Sequence, residues 1–190
     1  MRPPTLDQEG KGSKIPNTMS LTPKSPAASE TVMTQIILPP DANALNTAFG
    51  GKVMEWIDIC GAIAAQRHCR QVVVTASMDD LHFHAPIRVG EIATLRARVL
   101  AAFHTSMEVG VVVTAENPIS GELRTATSAL LTLVALGPDG SRVAVPPLQL
   151  TTDEERAAFA DAEKRRAERR SRDQQTSGAA WRRLFSPTVT

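Results

Sequence analysis

A chain of 190 residues with 42% hydrophobic content is long enough for one well-buried core, and its polar ends make the folded part shorter than the whole. Its 21 basic and 20 acidic side chains nearly cancel, so no global field argues for nucleic acid or a membrane surface. No apolar run approaches the length of a bilayer span, and the opening "MRPPTLDQEGKGSK" lacks the hydrophobic segment of a secretory signal. Cys60 and Cys69 are the only cysteines, and their place in or beside an apolar helix fits reduced thiols. These features together point to a soluble protein of the cytoplasm.

Residues 1–33 are rich in Pro, Ser, Thr, Lys and Gly without apolar periodicity, which predicts a disordered leader and makes Met33 an alternative start. The next segment, "MTQIILPPDAN", is the first with an ordered look, and a Pro/Asp/Asn loop follows over residues 39–47. A helix is expected near residues 52–67, apolar on nearly every face. Such a helix must be wrapped. The wrapping is read from "RQVVVTAS", "LHFHA", "ATLRARVLAAF", "SMEVGVVVTAE" and "ELRTATSALLTLVAL", five strands divided by turn signals. One helix followed by hairpin-linked antiparallel strands implies an α+β domain over residues 34–150. From residue 151 to 173, "TDEERAAFADAEKRRAERR" opens with Thr152 and Glu155 spaced as a capping box, which predicts a charged surface helix. Residues 174–190 are expected to be a disordered tail.

The chemistry centres on "NTAFGGKVMEWIDICGAIAAQRH", where an apolar helix carries Asp58 near its middle. An ionised carboxylate buried without partners costs several kcal/mol, so Asp58 is turned to water, paired, or kept for chemistry. Glu55 shares its side of the helix by the three-residue spacing. Gly50 and Gly51 stand where the chain enters the helix, and there they either permit a tight turn or present unpaired N–H groups to a carbonyl oxygen. With Asn43 in the preceding loop, these residues form the leading constellation. "HFH" puts His82 and His84 on one side of a strand without an obvious third metal ligand, so no metal site is assigned. No Ser sits in a nucleophile elbow, and neither cysteine has a convincing Cys/His/Asn set. The run "EKRRAERR" either holds phosphate or is a solvated face laced by Glu163 and Glu168. Trp181 and Phe185 are nearly all the tail offers for stacking on nucleic acid, so no nucleic-acid partner is expected.

Four stretches, "DANALNTAFGGKVMEWIDICGAIAAQRHC", "VVTASMDDLHFHAPIRVGE", "HTSMEVGV" and "VPPLQLTTDEERAAFADAEKRR", together resemble the hotdog-fold acyl-coenzyme A thioesterases of the cytosolic acyl-CoA hydrolase group. The resemblance runs in uninterrupted order from residue 36 to about residue 170. It implies a long central helix wrapped by an antiparallel sheet, side-by-side pairing of two hotdogs, and a trimer of such dimers. It also implies hydrolysis of fatty acyl-CoA to free acid and coenzyme A, with no cofactor beyond the coenzyme A of the substrate.

By the same resemblance, Asn43 and Asp58 act together in one site while coming from different subunits, with Gly51 as oxyanion donor and Asp58 as general base or nucleophile. Many relatives carry Gly at the position of Asn46 and His at that of Phe49. Coenzyme A would be held by Thr75, Ala76 and Ser77, by His104, Thr105 and Ser106, and by Arg166 of the terminal helix, with Arg165 an alternative. A thioester is already activated, so a positioned base and a polarised carbonyl suffice without a Ser/His/Asp triad or a metal. A non-catalytic acyl-CoA-binding protein is the alternative reading; it has no need of Asn43 and Asp58 together.

Overall fold

A computed structural model describes residues 21–175, with side chains through residue 172. The sheet comprises β1 (Thr31–Ile36), β2 (Val72–Phe83), β3 (Ile92–Ala102), β4 (Ser106–Glu116) and β5 (Leu123–Leu136). Its order is β1-β3-β4-β5-β2, antiparallel throughout. Two helices complete the domain, α1 (Gly50–Cys69) and α2 (Asp153–Gln175).

The strands alternate as half-buried β-structure must. Leu95, Ala97 and Val99 of β3, Met107, Val109 and Val111 of β4, and Leu131 and Leu133 of β5 turn inward and are almost fully buried. Each such Val, Leu or Met adds about 1.5–3 kcal/mol by leaving water. Onto this face α1 lays Val53, Trp56, Ile57, Cys60 and Ala64, a stripe at the three- and four-residue spacing of one helical face. The helix stops at Arg70, which takes a left-handed conformation (φ 55°) and returns its N–H to the Gln66 carbonyl. Met54 and Ile59 lie outside the stripe and stay exposed, so one chain does not wrap α1 completely.

Three expectations are corrected. The segment before residue 34 belongs to the fold as far back as it is described. Ser29 and Thr31 are buried, the Ser29 hydroxyl accepts the Val99 N–H at 2.9 Å, and Met33 sits inside β1 opposite Leu95. Polar residues fill this edge because each finds a partner, which composition does not reveal. The two strands expected at "RQVVVTAS" and "LHFHA" are one long edge strand. β2 carries register shifts between Thr75 and Ser77 and between Asp79 and His82, with Asp80 at φ 48°. Such bulges re-aim side chains without ending the pairing. Finally, α1 is longer than expected at both ends and begins at Gly50 itself.

The capping box is in place at the start of α2. The Glu155 N–H meets Thr152 Oγ1 at 3.2 Å, and the Thr152 N–H meets Glu155 Oε2 at 3.3 Å. No helix among the described residues is long and apolar enough to cross a membrane. The expected tail beyond residue 175 lies outside the described residues, as do Trp181 and Phe185.

Candidate active site

The loop before α1 is shaped by Asn43. Its side-chain oxygen accepts the Leu45 N–H at 2.9 Å, the Thr47 N–H at 3.4 Å and the Thr47 hydroxyl at 3.2 Å. This is the local turn that Asn favours, and it commits the carbonyl half of the amide to the loop. The donor half remains for a ligand. Asn46 completes the turn at φ 56°, a left-handed conformation that Gly or Asn takes at least cost.

Gly50 and Gly51 are the first two residues of α1, and no side chain caps them. Lys52 and Val53 both donate to the Phe49 carbonyl, so the two glycine N–H groups are the free donors of the first turn. The Phe49 ring lies beside Gly51, where a Cβ would stand 3.0 Å from it and press on the exposed ring. A pocket of about 350 Å³ adjoins this helix end, walled by Val53, Phe83 and Ile87 with Gly50 at its rim.

Asp58 is half-exposed on the flank of α1 that faces edge strand β2. Its Oδ1 accepts the Thr75 hydroxyl at 2.5 Å. That bond engages Oδ1 alone. Glu55 is exposed and paired with Lys52 at 3.0 Å. Among the described residues no hydrogen bond or ion pair joins Asn43 to Asp58 within one chain.

The other expected residues gather on the far face of the sheet. Glu108 alternates with the inward-facing Met107 and Val109, so α2, which covers Glu108, lies opposite α1. Between α2 and the strands opens a cleft of about 610 Å³ that brings Ala76, Ser77, Thr105, Ser106 and Arg166 together. Phe103 forms part of its wall, with the Arg166 guanidinium 4.1 Å over the ring. Arg142 and Arg170 also line it. Burial first, and then the charges of Arg170 and Arg169, push the Arg166 pKa below its ordinary value.

Two of the expected residues stand apart from this cleft. Thr75 is engaged with Asp58, and the His104 side chain is exposed while its carbonyl accepts the Val145 N–H. Arg165, the alternative phosphate ligand, is committed to Glu108 at 2.5 Å. Sequence reading passed over Glu108, Asp79 and Arg169, which join across the cleft wall; the one available sign was a glutamate inside the valine-rich strand β4. His82 and His84 stack with centroids 6.1 Å apart, and His84 Nε2 lies 2.8 Å from the Ser128 hydroxyl. No group of three His, Cys, Asp or Glu side chains suited to a metal occurs among the described residues. A third cleft of about 560 Å³ lies on the outer sheet face around Leu100, Val112 and Leu130 and contains none of the expected groups.

A half-exposed carboxylate aligned by a hydroxyl, free amides at a helix end and a separate basic cleft suit the hydrolysis of an activated acyl group carried on a phosphate-bearing handle. The family model of the thioesterase superfamily matches residues 45–122. A Bacillus subtilis protein, the uncharacterized acyl-CoA thioester hydrolase YkhA, is 40% identical over 152 residues, 80% of this chain and 88% of that one. The chain belongs to the thioesterase superfamily, among its hotdog-fold acyl-CoA thioester hydrolases. An apo-hexameric acyl-CoA thioesterase superposes with a TM-score of 0.76 at 37% identity, covering 80% of this chain and 97% of that one. The acyl-CoA hydrolase of Staphylococcus aureus, solved with butyryl coenzyme A, coenzyme A and coenzyme A disulfide, gives 0.76 at 32% identity over 83% and 96% of the two chains. That enzyme has also been solved as three separate variants, with alanine replacing in turn an asparagine, an aspartate 15 residues further on, and a threonine 17 beyond that. The chain spans only 25% and 38% of two longer mammalian relatives it matches.

Proposed function

We propose that this protein hydrolyses fatty acyl-CoA to free acid and coenzyme A in a site where Asp58 is the general base and Asn43 orients the water or substrate. The observation that carries this reading is the hydrogen bond from Thr75 to Asp58. It aligns the carboxylate and joins two of three residues, Asn43, Asp58 and Thr75, whose types and separations of 15 and 17 repeat those replaced in the Staphylococcus aureus enzyme.

In this account a water oxygen attacks the thioester carbon while Asp58 Oδ2 takes its proton. The carbonyl oxygen, becoming an oxyanion, is met by the Gly51 N–H at the positive end of α1. As the C–S bond breaks, the sulfur departs as thiolate and recovers the proton from Asp58. The acyl group extends into the pocket walled by Val53, Phe83 and Ile87. The phosphates of coenzyme A occupy the cleft beneath Arg166, with Ala76, Ser77, Thr105 and Ser106 along the strand side.

The reacting end is completed by a second subunit. Asn43 and Asp58 share no bond within a chain, α1 leaves Met54 and Ile59 exposed, and edge strand β2 leaves Val72 and Val74 exposed. A long apolar sheet edge of this kind pairs readily with its own copy. We read the assembly as a dimer of hotdogs, three of which form a hexamer, in keeping with the hexameric relative. The two free, buried thiols fit the reducing cytoplasm.

The test is a panel of acyl-CoA esters from acetyl to palmitoyl, with released thiol followed over time and chelator present. Turnover in chelator supports the metal-free mechanism. A panel with no turnover, from a protein that binds coenzyme A, would favour the non-catalytic acyl-CoA-binding alternative.

A further inference from the structure

Glu108 is a carboxylate with no exposure, on the sheet face away from the core. Leaving such a charge in β4 is unfavourable unless every lone pair is met. Here it is met twice over. Arg165 donates from Nε at 3.1 Å and from Nη2 at 2.5 Å to Oε1. Arg169 donates from Nη1 and Nη2, each at 3.1 Å, to Oε2. Arg169 Nη1 also reaches Asp79 Oδ2 at 3.2 Å, and that same oxygen accepts the Ser77 hydroxyl at 3.0 Å. The chain of contacts thus runs from the centre of the sheet through α2 to the edge strand.

Charge bookkeeping gives the cluster its meaning. Two carboxylates, Glu108 and Asp79, balance two guanidinium groups, Arg165 and Arg169, while Arg166, one residue along the same helix, is turned into the cleft. Each guanidinium converges two N–H groups on one oxygen of Glu108, which fixes direction as well as distance, whereas an exposed helix with surface ion pairs alone would slide or fray. The clasp therefore fixes both walls of the cleft: the rotation of α2 that aims Arg166, and the rotamer of Ser77 on β2.

We infer that Glu108, with Asp79 at the cleft wall, is a positioning residue that builds the cleft through Arg165 and Arg169 and sets its affinity for the nucleotide end of coenzyme A, Glu108 itself lying fully buried outside the cleft lining. This inference rests on the proposed placement of coenzyme A, and its test separates the two.

The variant is Glu108→Gln, which keeps the shape and removes the charge. KM for acyl-CoA should rise roughly tenfold with kcat within about twofold, the size of one well-placed charge-assisted hydrogen bond. With the corresponding acyl-pantetheine, which lacks the nucleotide, neither constant should move. Calorimetric binding of 3′,5′-ADP to full-length protein supplies a readout independent of turnover and should weaken by the same factor. Asp79→Asn, a more exposed site, guards against a Glu108 variant that does not fold; it should give a smaller rise confined to the same substrate. Equal changes on both thioesters, unchanged 3′,5′-ADP affinity, or a fall in KM as Arg165 and Arg169 are released to bind phosphate would each overturn the inference. Should wild type bind 3′,5′-ADP yet cleave neither thioester, the proposed activity fails while the binding comparison still decides the clasp.

Discussion

The two faces of the sheet treat their charged groups in opposite ways. On the α2 face, Glu108, Asp79, Arg165 and Arg169 satisfy one another within a single chain, and the cleft they frame is complete. On the α1 face, Asp58 has one hydroxyl partner, the glycine amides have none, and Asn43 stands in a loop it shapes but from which it does not reach Asp58. On the reading proposed above, the gripping end is built within one chain and the reacting end draws on a second copy. Strand β2 joins them, since Thr75 serves Asp58 and Ser77, past the bulge, serves the cleft. A slip in that strand would uncouple grip from reaction.

The largest effect should come from the reacting end. Asp58→Asn keeps shape and the Thr75 contact but removes the proton acceptor, so kcat should fall by about 10²–10⁴-fold with little change in KM. Turnover near the wild-type rate would make Asp58 structural. A control for both faces lies at the opposite edge of the sheet, in β1. Deleting residues 1–33 removes the Ser29–Val99 bond, the two that Arg67 makes to the Glu30 carbonyl and to Thr31, the Lys24 contacts to Pro147, Gln149 and His68, and half of the β1 pairing with β3. At about 1 kcal/mol for each bond, stability falls by more than about 3 kcal/mol and Tm by at least several degrees in a thermal melt.

Arg166→Ala probes the gripping end and should raise KM several-fold while kcat holds, because a phosphate contact far from the thioester binds ground and transition states alike. A change confined to kcat would place Arg166 at the wrong end of the substrate. The smallest effect concerns His68, buried at the C-terminal end of α1 with Nε2 2.7 Å from the Pro146 carbonyl. Burial holds its pKa below the ordinary 6.5. The unfolded chain binds a proton near 6.5 and the folded one resists, so its contribution is full above that pH and is lost as pH falls toward the depressed value. Melts from pH 7.5 to 5 should show the decline, reduced in His68→Gln; parallel profiles for the two proteins would remove His68 from the account.

The greasy helix, the three long strands and the capped terminal helix were legible because their patterns are local: a stripe, an alternation, a Thr/Glu pair. What escaped depends on partners distant in sequence. Ser29 reads as leader composition until Val99, 70 residues on, supplies its bond. "MDD" reads as a break between strands until Arg169, 90 residues past Asp79, offsets its charge. Glu108 reads as an ordinary outward residue until α2 covers it. The pairing of Asn43 with Asp58 comes from resemblance to a family and not from spacing, since no hydrogen bond or ion pair joins them within one chain among the described residues. Thr75 reads as part of the cofactor segment, and its contact with Asp58 follows from its pairing with the inward-facing Leu133, ahead of the bulge that sets Ser77 opposite Thr132.

The claim that the reacting end is shared between subunits is tested most directly by mixing. Asn43→Ala and Asp58→Asn proteins, each inactive or nearly so, are unfolded together, refolded and assayed with acyl-CoA, with subunit exchange verified by a mass tag. In a symmetric pair whose sites each draw Asn43 from one chain and Asp58 from the other, a random mixture regains roughly a quarter of wild-type sites. Recovery near that level is the result expected. Mixtures that exchange subunits yet stay as inactive as their parents would show that each site is built within one chain.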